Sequence, residues 1–203
     1  MDLQAQRIKI TTKQIVIMAM FGAMAAVLMV FEVQIPFAPT FVKLDVSDLP
    51  IIIGGFIYGP FIGIGIACIK IVLNLVLNGT TTMFVGELSN LILSIAHMLP
   101  ASIIYQKSKT KKSAIIGLFT GTVVASVLAI ITNLFIIFPL YGSLFNLSMD
   151  SIVEMAVATN PLVNDLLTMI LFSLLPFNIF KFTIVSLITI IIYKKINVVL
   201  KRF

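Results

Sequence analysis

Residues 114–141 read AIIGLFTGTVVASVLAIITNLFIIFPLY, a stretch without a single charge inside an uncharged run that continues to Met149. As a helix it is about 42 Å long, against roughly 30 Å for the hydrocarbon layer of a bilayer. The rest of the 203-residue chain agrees: 60% of residues are hydrophobic, 11% are charged, and the mean hydropathy is +1.15. A soluble domain carries about a quarter charged residues, so this composition excludes one. The single cysteine, Cys68, can make neither an internal disulfide nor a cysteine-based metal site on its own. The chain reads as an integral membrane protein.

Charge-free stretches on either side, bounded by charged or turn residues, predict five further helices. The expectation is an all-α fold of six transmembrane helices, at about 15–32, 48–59, 61–78, 84–105, 114–141 and 176–194, forming one membrane domain over residues 1–203. The first helix follows Arg7, Lys9 and Lys13, yet no cleavable small-residue site precedes a soluble domain, so it reads as retained. The second, between the Asp48/Pro50 start signal and the Gly59-Pro60 breaker, is short for a span. The loop before it, about 33–47, therefore dips toward the membrane. A second outer loop covers about 142–175 and leads into the last helix with a bend at Pro176. No internal repeat is evident.

Basic residues orient the chain, because lysine and arginine concentrate in cytoplasmic loops. With both termini inside, the inner segments hold Arg7, Lys9 and Lys13, then Lys107, Lys109, Lys111 and Lys112, then Lys194, Lys195, Lys201 and Arg202, which is 11 of the 14 basic residues. Every acid except Asp2 falls in an outer loop or within a span. The net charge of +6 is thus a topology signal and not a nucleic-acid footprint.

Polar groups inside a bilayer are expensive and mark functional sites or interhelical contacts. Glu87 and Asn90 lie near the outer end of the fourth helix, with Ser94 and His97 further along the same stripe. Asn133 comes about 28 Å along the fifth helix, again toward the outside. Asn178 and Lys181 lie three apart near the outer start of the sixth. Three helices distant in sequence thus deliver amides and charges to one outer third, beneath the loop with Lys43, Asp45 and Asp48, which is the make-up of a small-molecule site. Alternatives stand beside this reading. Asn90 and Asn133 can be hydrogen-bond glue, Glu87 and Lys181 a structural ion pair, and Asp45 and Asp48 caps of the second helix. Lys70, Asn74 and Asn78 form a stripe on the third helix that reads as a structural or gating pairing, His97 as a packing histidine, and Glu32 as an interfacial cap.

No P-loop, H-E-x-x-H or G-x-S-x-G motif occurs, so neither ATP hydrolysis by a P-loop nor metal- or serine-based chemistry is expected. Ala19 and Ala23, four apart on the first helix, with Gly22 and Ala26 offset by three, make small-residue faces that let helices approach closely. Such a face serves a partner membrane protein or packing within the bundle.

With these residues assembled, the chain resembles the substrate-binding S components of the energy-coupling factor (ECF) vitamin transporters, most closely the riboflavin-specific type. The resemblance covers nearly the whole chain. It is carried by Phe41-Val42-Lys43-Leu44-Asp45-Val46-Ser47-Asp48-Leu49-Pro50, by Tyr58-Gly59-Pro60 with Gly63, and by Gly86-Glu87-Leu88-Ser89-Asn90. Asn133 with Pro139-Leu140-Tyr141-Gly142, and Pro176-Phe177-Asn178 with Lys181, complete it. It implies a transporter subunit in the cytoplasmic membrane that is not an enzyme, has no cofactor or metal, and captures riboflavin near the outer face. It further implies a transmembrane T component and two cytoplasmic ATPases as partners, with Ala19 and Ala23 matching the motif that contacts the T component. A flavin's pyrimidine edge alternates donors and acceptors, which asparagine amides can match. On this reading Asn133, Asn178 and Lys181 contact the ring or polyol, Glu87 and Asn90 come next, and Lys43, Asp45 and Asp48 shape a lid. The rivals are an S component for thiamine, folate or biotin, and a membrane scaffold, which leaves the polar cluster unexplained.

Overall fold

The computed structural model describes residues 10–36, 38–39, 42–157 and 159–200, with side chains as far as 193. Helix α1 (Thr12–Val30) opens on a capping box: the Thr11 hydroxyl accepts from the Gln14 N–H, and the Thr11 N–H donates to the Gln14 side chain. The chain then forms a small antiparallel hairpin, β1 (Val33–Gln34) with β2 (Lys43–Leu44), in which Val33 faces Leu44 and Gln34 faces Lys43. Glu32, expected as a cap of the first helix, lies beyond its end and pairs with Lys43 across this hairpin.

Helix α2 (Asp48–Tyr58) turns into α3 (Pro60–Asn78) through Gly59 alone. Gly59 has φ +92°, a conformation open to glycine, and Pro60 supplies the preset first turn of α3. At about 16 Å, α2 is too short to cross a bilayer. Its last carbonyls therefore end inside the bundle and need donors. Helix α4 (Val85–Ser108) supplies them: the Ser102 hydroxyl donates to the Gly55 carbonyl at 2.7 Å, and the Gln106 amide to that of Phe56 at 2.7 Å.

Helix α5 (Lys111–Phe145) packs antiparallel on α4, with backbones nearly touching. A Cβ on Gly121 would meet the His97 carbonyl oxygen at 2.3 Å, and one on Gly117 that of Ala101 at 2.7 Å. Gly117, Gly121, Ala125 and Ala129, four apart and all buried, make this the small-residue seam of the bundle. The short α6 (Met149–Val157) follows, then α7 (Leu166–Tyr193, with helical backbone to Leu200).

Five helices, α1, α3, α4, α5 and α7, are long and apolar enough to span a membrane, and α2 is the short exception to the expected six. Large apolar side chains along them face outward, as Val76 and Ile191 do at 77% and 76% exposure. Two expected boundaries are corrected. The fifth helix runs to Phe145, so the following loop begins after it. The last helix starts at Leu166, ten residues before Pro176, on a capping box made by Asp165 and Thr168. Proline lacks the N–H that a carbonyl one turn back expects. The helix nonetheless runs through Pro176, because the Asn160 amide donates to the Phe172 carbonyl at 2.9 Å and a π-helical segment (Ile170–Leu174) absorbs the irregularity.

Candidate functional site: a polar cavity at one end of the bundle

The ends of α1 and α3, the hairpin, the start of α4 and the π-helical segments of α5 and α7 surround a cavity of about 420 Å³, within the range of small-molecule sites. Asn133, Asn178, Lys181, Glu87 and Asn90 all line it, as do the loop residues Lys43, Asp45 and Asp48. Phe177, Phe182, Leu174 and Tyr141 supply apolar wall.

Two buried ion-pair systems form its floor and side. Lys70, fully buried, brings its ammonium within 3.1 Å of four oxygens: Ser47 Oγ at 3.1 Å, Asp48 Oδ1 at 3.0 Å, Asn90 Oδ1 at 2.6 Å and Ser94 Oγ at 3.0 Å. Ser94 also donates to Asp48. An ammonium has three N–H groups, so Lys70 is saturated, and it binds the start of α2 to α3 and α4 in one knot. The second pair joins Lys181 of α7 to Asp45 at 2.7 Å. Asp45 also accepts from the backbone N–H of Ser47 at 2.8 Å, which fixes the loop ahead of α2. Burial alone would raise the Asp45 carboxyl, but Lys181, helped by Lys70, holds it below the ordinary carboxylate range. The alternative Glu87–Lys181 ion pair is not formed. Glu87 instead accepts from the Thr82 hydroxyl at 2.8 Å.

The two other asparagines are set differently from Asn90. The Asn133 amide donates back to the Ala129 carbonyl at 2.7 Å, and that of Asn178 to Leu174 at 2.8 Å. Each bond sits at a π-helical segment, Asn133–Ile137 in α5 and Ile170–Leu174 in α7. The bond fixes each amide plane and leaves one N–H and the Oδ1 without a protein partner among the described residues. Two oriented donor–acceptor faces therefore border the cavity. His97 lies deeper, buried, with Nε2 3.2 Å from Ser186 Oγ and its ring 4.7 Å from that of Phe182. Among the described residues, no three His, Cys, Asp or Glu side chains gather as metal ligands.

Residues 13–193 match the family described as ECF transporter, substrate-specific component. The chain belongs to that family. Among its relatives, riboflavin transporter RibU of Staphylococcus aureus (strain TCH60) is 33% identical, with 94% of this chain and 93% of the relative covered. Riboflavin transporter FmnP of Bacillus subtilis (strain 168) is 29% identical, over 91% of this chain and 92% of its own. A solved structure described as the S component of a bacterial ECF transporter superposes with a TM-score of 0.72 at 30% identity, covering 93% of this chain and 98% of that one.

In this substrate-specific component, the small residues of α1 serve two faces. Gly22 and Ala26 are buried in the bundle, with a Cβ on Gly22 only 2.4 Å from Ile69 Cγ2, while Ala19 and Ala23 are exposed. Sequence reasoning missed Ser47 and Thr82. Ser47 stands just ahead of the Asp48/Pro50 start signal and carried no reading of its own, but its hydroxyl serves Asp45 and Lys70. Thr82 sits in the Thr80-Thr81-Thr82 run, whose only signal was a cluster of hydroxyls just ahead of Gly86-Glu87.

Proposed function

We propose that this substrate-specific component captures riboflavin in the 420 Å³ cavity and delivers it to an ATP-driven complex. The observation that carries the reading is the pair of tethered amides, Asn133 and Asn178, beside Phe177, Phe182 and Tyr141. Each amide offers a donor and an acceptor in a fixed plane, which suits the alternating edge of a flavin, and the aromatic walls suit its flat rings. Two relatives are named riboflavin transporters. Lys181 completes the polar rim, and Lys43, Asp45 and Asp48 hold the overlying loop. The cavity lies at the end of the bundle opposite Lys107, Lys109, Lys111 and Lys112, so by the rule that basic loops stay in the cytoplasm it opens outward. Both termini then lie inside, α2 is the sixth and partial span, and the membrane is the cytoplasmic one. The partners are a transmembrane T component, docked on the exposed Ala19/Ala23 face, and two cytoplasmic ATPases that supply the energy the chain has no motif to extract.

Reconstitution tests this division of labour. Liposomes holding the chain alone should bind riboflavin without concentrating it, and accumulation should require both partners and ATP. Ala19→Trp or Ala23→Trp should lower uptake in the full complex several-fold and leave binding intact, since the cavity is remote. Concentrative uptake by the lone chain, or preferred uptake of thiamine, folate or biotin, contradicts the assignment.

A further inference from the structure

Each lysine at the cavity already has a carboxylate. Lys43 is paired with Glu32, Lys181 with Asp45, and Lys70, beneath the floor, with Asp48. Glu87 is the remaining carboxylate on the wall, and among the described residues no cation lies within ion-pair distance of it. The cavity therefore carries one net negative charge and no spare positive one.

The place where an anion would otherwise settle is also filled. A helix N-terminus attracts negative charge through its free N–H groups and dipole, and α4 begins at the cavity wall. Met83 and Phe84, at φ +47° and +68°, turn the chain back so that Thr82 covers that end. The Gly86 N–H donates to Thr82 Oγ1 at 3.0 Å and the Val85 N–H to the Thr82 carbonyl at 3.0 Å. The same Thr82 hydroxyl donates to Glu87 Oε2. Two consecutive left-handed residues without glycine are unfavourable on their own, so the turn is held by what it makes. What it makes is an N-terminus already supplied with its own carboxylate.

We infer that Glu87 is a charge-selecting residue: it admits neutral riboflavin and disfavours flavins that carry a terminal phosphate. The inference rests on the flavin reading above. The phosphate brings nearly two negative charges at neutral pH, and repulsion across about 10 Å at an effective dielectric near 20 corresponds to at least tenfold in affinity.

The test is a titration of the purified full chain with riboflavin and with flavin mononucleotide, followed by flavin fluorescence at low and high salt. The wild type should prefer riboflavin by about tenfold or more, with the preference shrinking as salt screens the charge. Glu87→Gln keeps the shape and the bond to Thr82, and should narrow the preference about tenfold, chiefly by tighter binding of the phosphorylated flavin. Asn78→Lys, at an exposed position on the cavity wall, should narrow it independently without touching Glu87. Equal affinities in the wild type, or a preference unchanged in both variants, overturn the charge argument while the flavin reading stands. A wild type that binds neither flavin overturns both.

Discussion

Lys70→Met is expected to be the most damaging single substitution in the chain. It strips four oxygens of their shared donor and leaves Asp48, at 2% side-chain exposure, as a buried charge without its cation. Breaking a buried pair from one side costs about 3–5 kcal/mol, a large share of the roughly 5–15 kcal/mol by which a folded domain is stable. The variant should show a markedly lower thermal midpoint and poor recovery in detergent. Removing both partners is a different matter, because no orphaned charge remains. The double variant Lys70→Met/Asp48→Leu should therefore recover much of the loss. A single variant that melts like the wild type, or a double variant worse than the single, contradicts the keystone role of Lys70.

Lys181→Ala should have the largest effect on ligand binding. Lys181 lines the cavity and is the cation of Asp45, whose carboxylate fixes the loop ahead of α2. Its loss removes a wall group and frees the latch, with an expected fall in riboflavin affinity of about 100-fold or more. Asn178→Ala removes an oriented amide but no charge, so it should cost about 1–3 kcal/mol, or roughly 5- to 150-fold. The latch also sets a pH expectation. A carboxyl held below its ordinary value contributes stability above that value and loses it only as pH falls through the lowered one. Binding should therefore be flat from pH 8 to pH 5 as far as Asp45 is concerned. Lys181→Ala protein that is folded and binds riboflavin within twofold of the wild type contradicts both the wall and the latch role.

Much of this architecture was legible before any coordinates. The uncharged run at 114–141 could only be a spanning helix, and counting 1.5 Å per residue put Asn133, Asn178, Glu87 and Asn90 at one depth. The cavity where they meet follows from that arithmetic. The bonding inside it does not. Lys70 reads as one member of a structural or gating pairing, but its partners Ser47, Asp48, Asn90 and Ser94 could not be named, because none is closer than twenty residues along the chain. Asn90 and Asn133 read alike, as site groups or as hydrogen-bond glue, yet only the Asn90 Oδ1 belongs to Lys70. Pro176 reads as the bend where the last helix starts, yet helix precedes it by ten residues, because one amide from Asn160 satisfies the carbonyl that the proline leaves without a donor. The π-helical segments at Asn133–Ile137 and Ile170–Leu174 have no signature in hydrophobic periodicity, although they set the two amides that border the cavity.

The most direct test of riboflavin capture is the flavin content of the chain itself. Protein extracted in mild detergent from a riboflavin-containing host, or incubated with riboflavin and passed over a desalting column, should be yellow and carry about one riboflavin per chain. Protein that stays colourless after both treatments, or that retains thiamine, folate or biotin instead, would contradict the assignment.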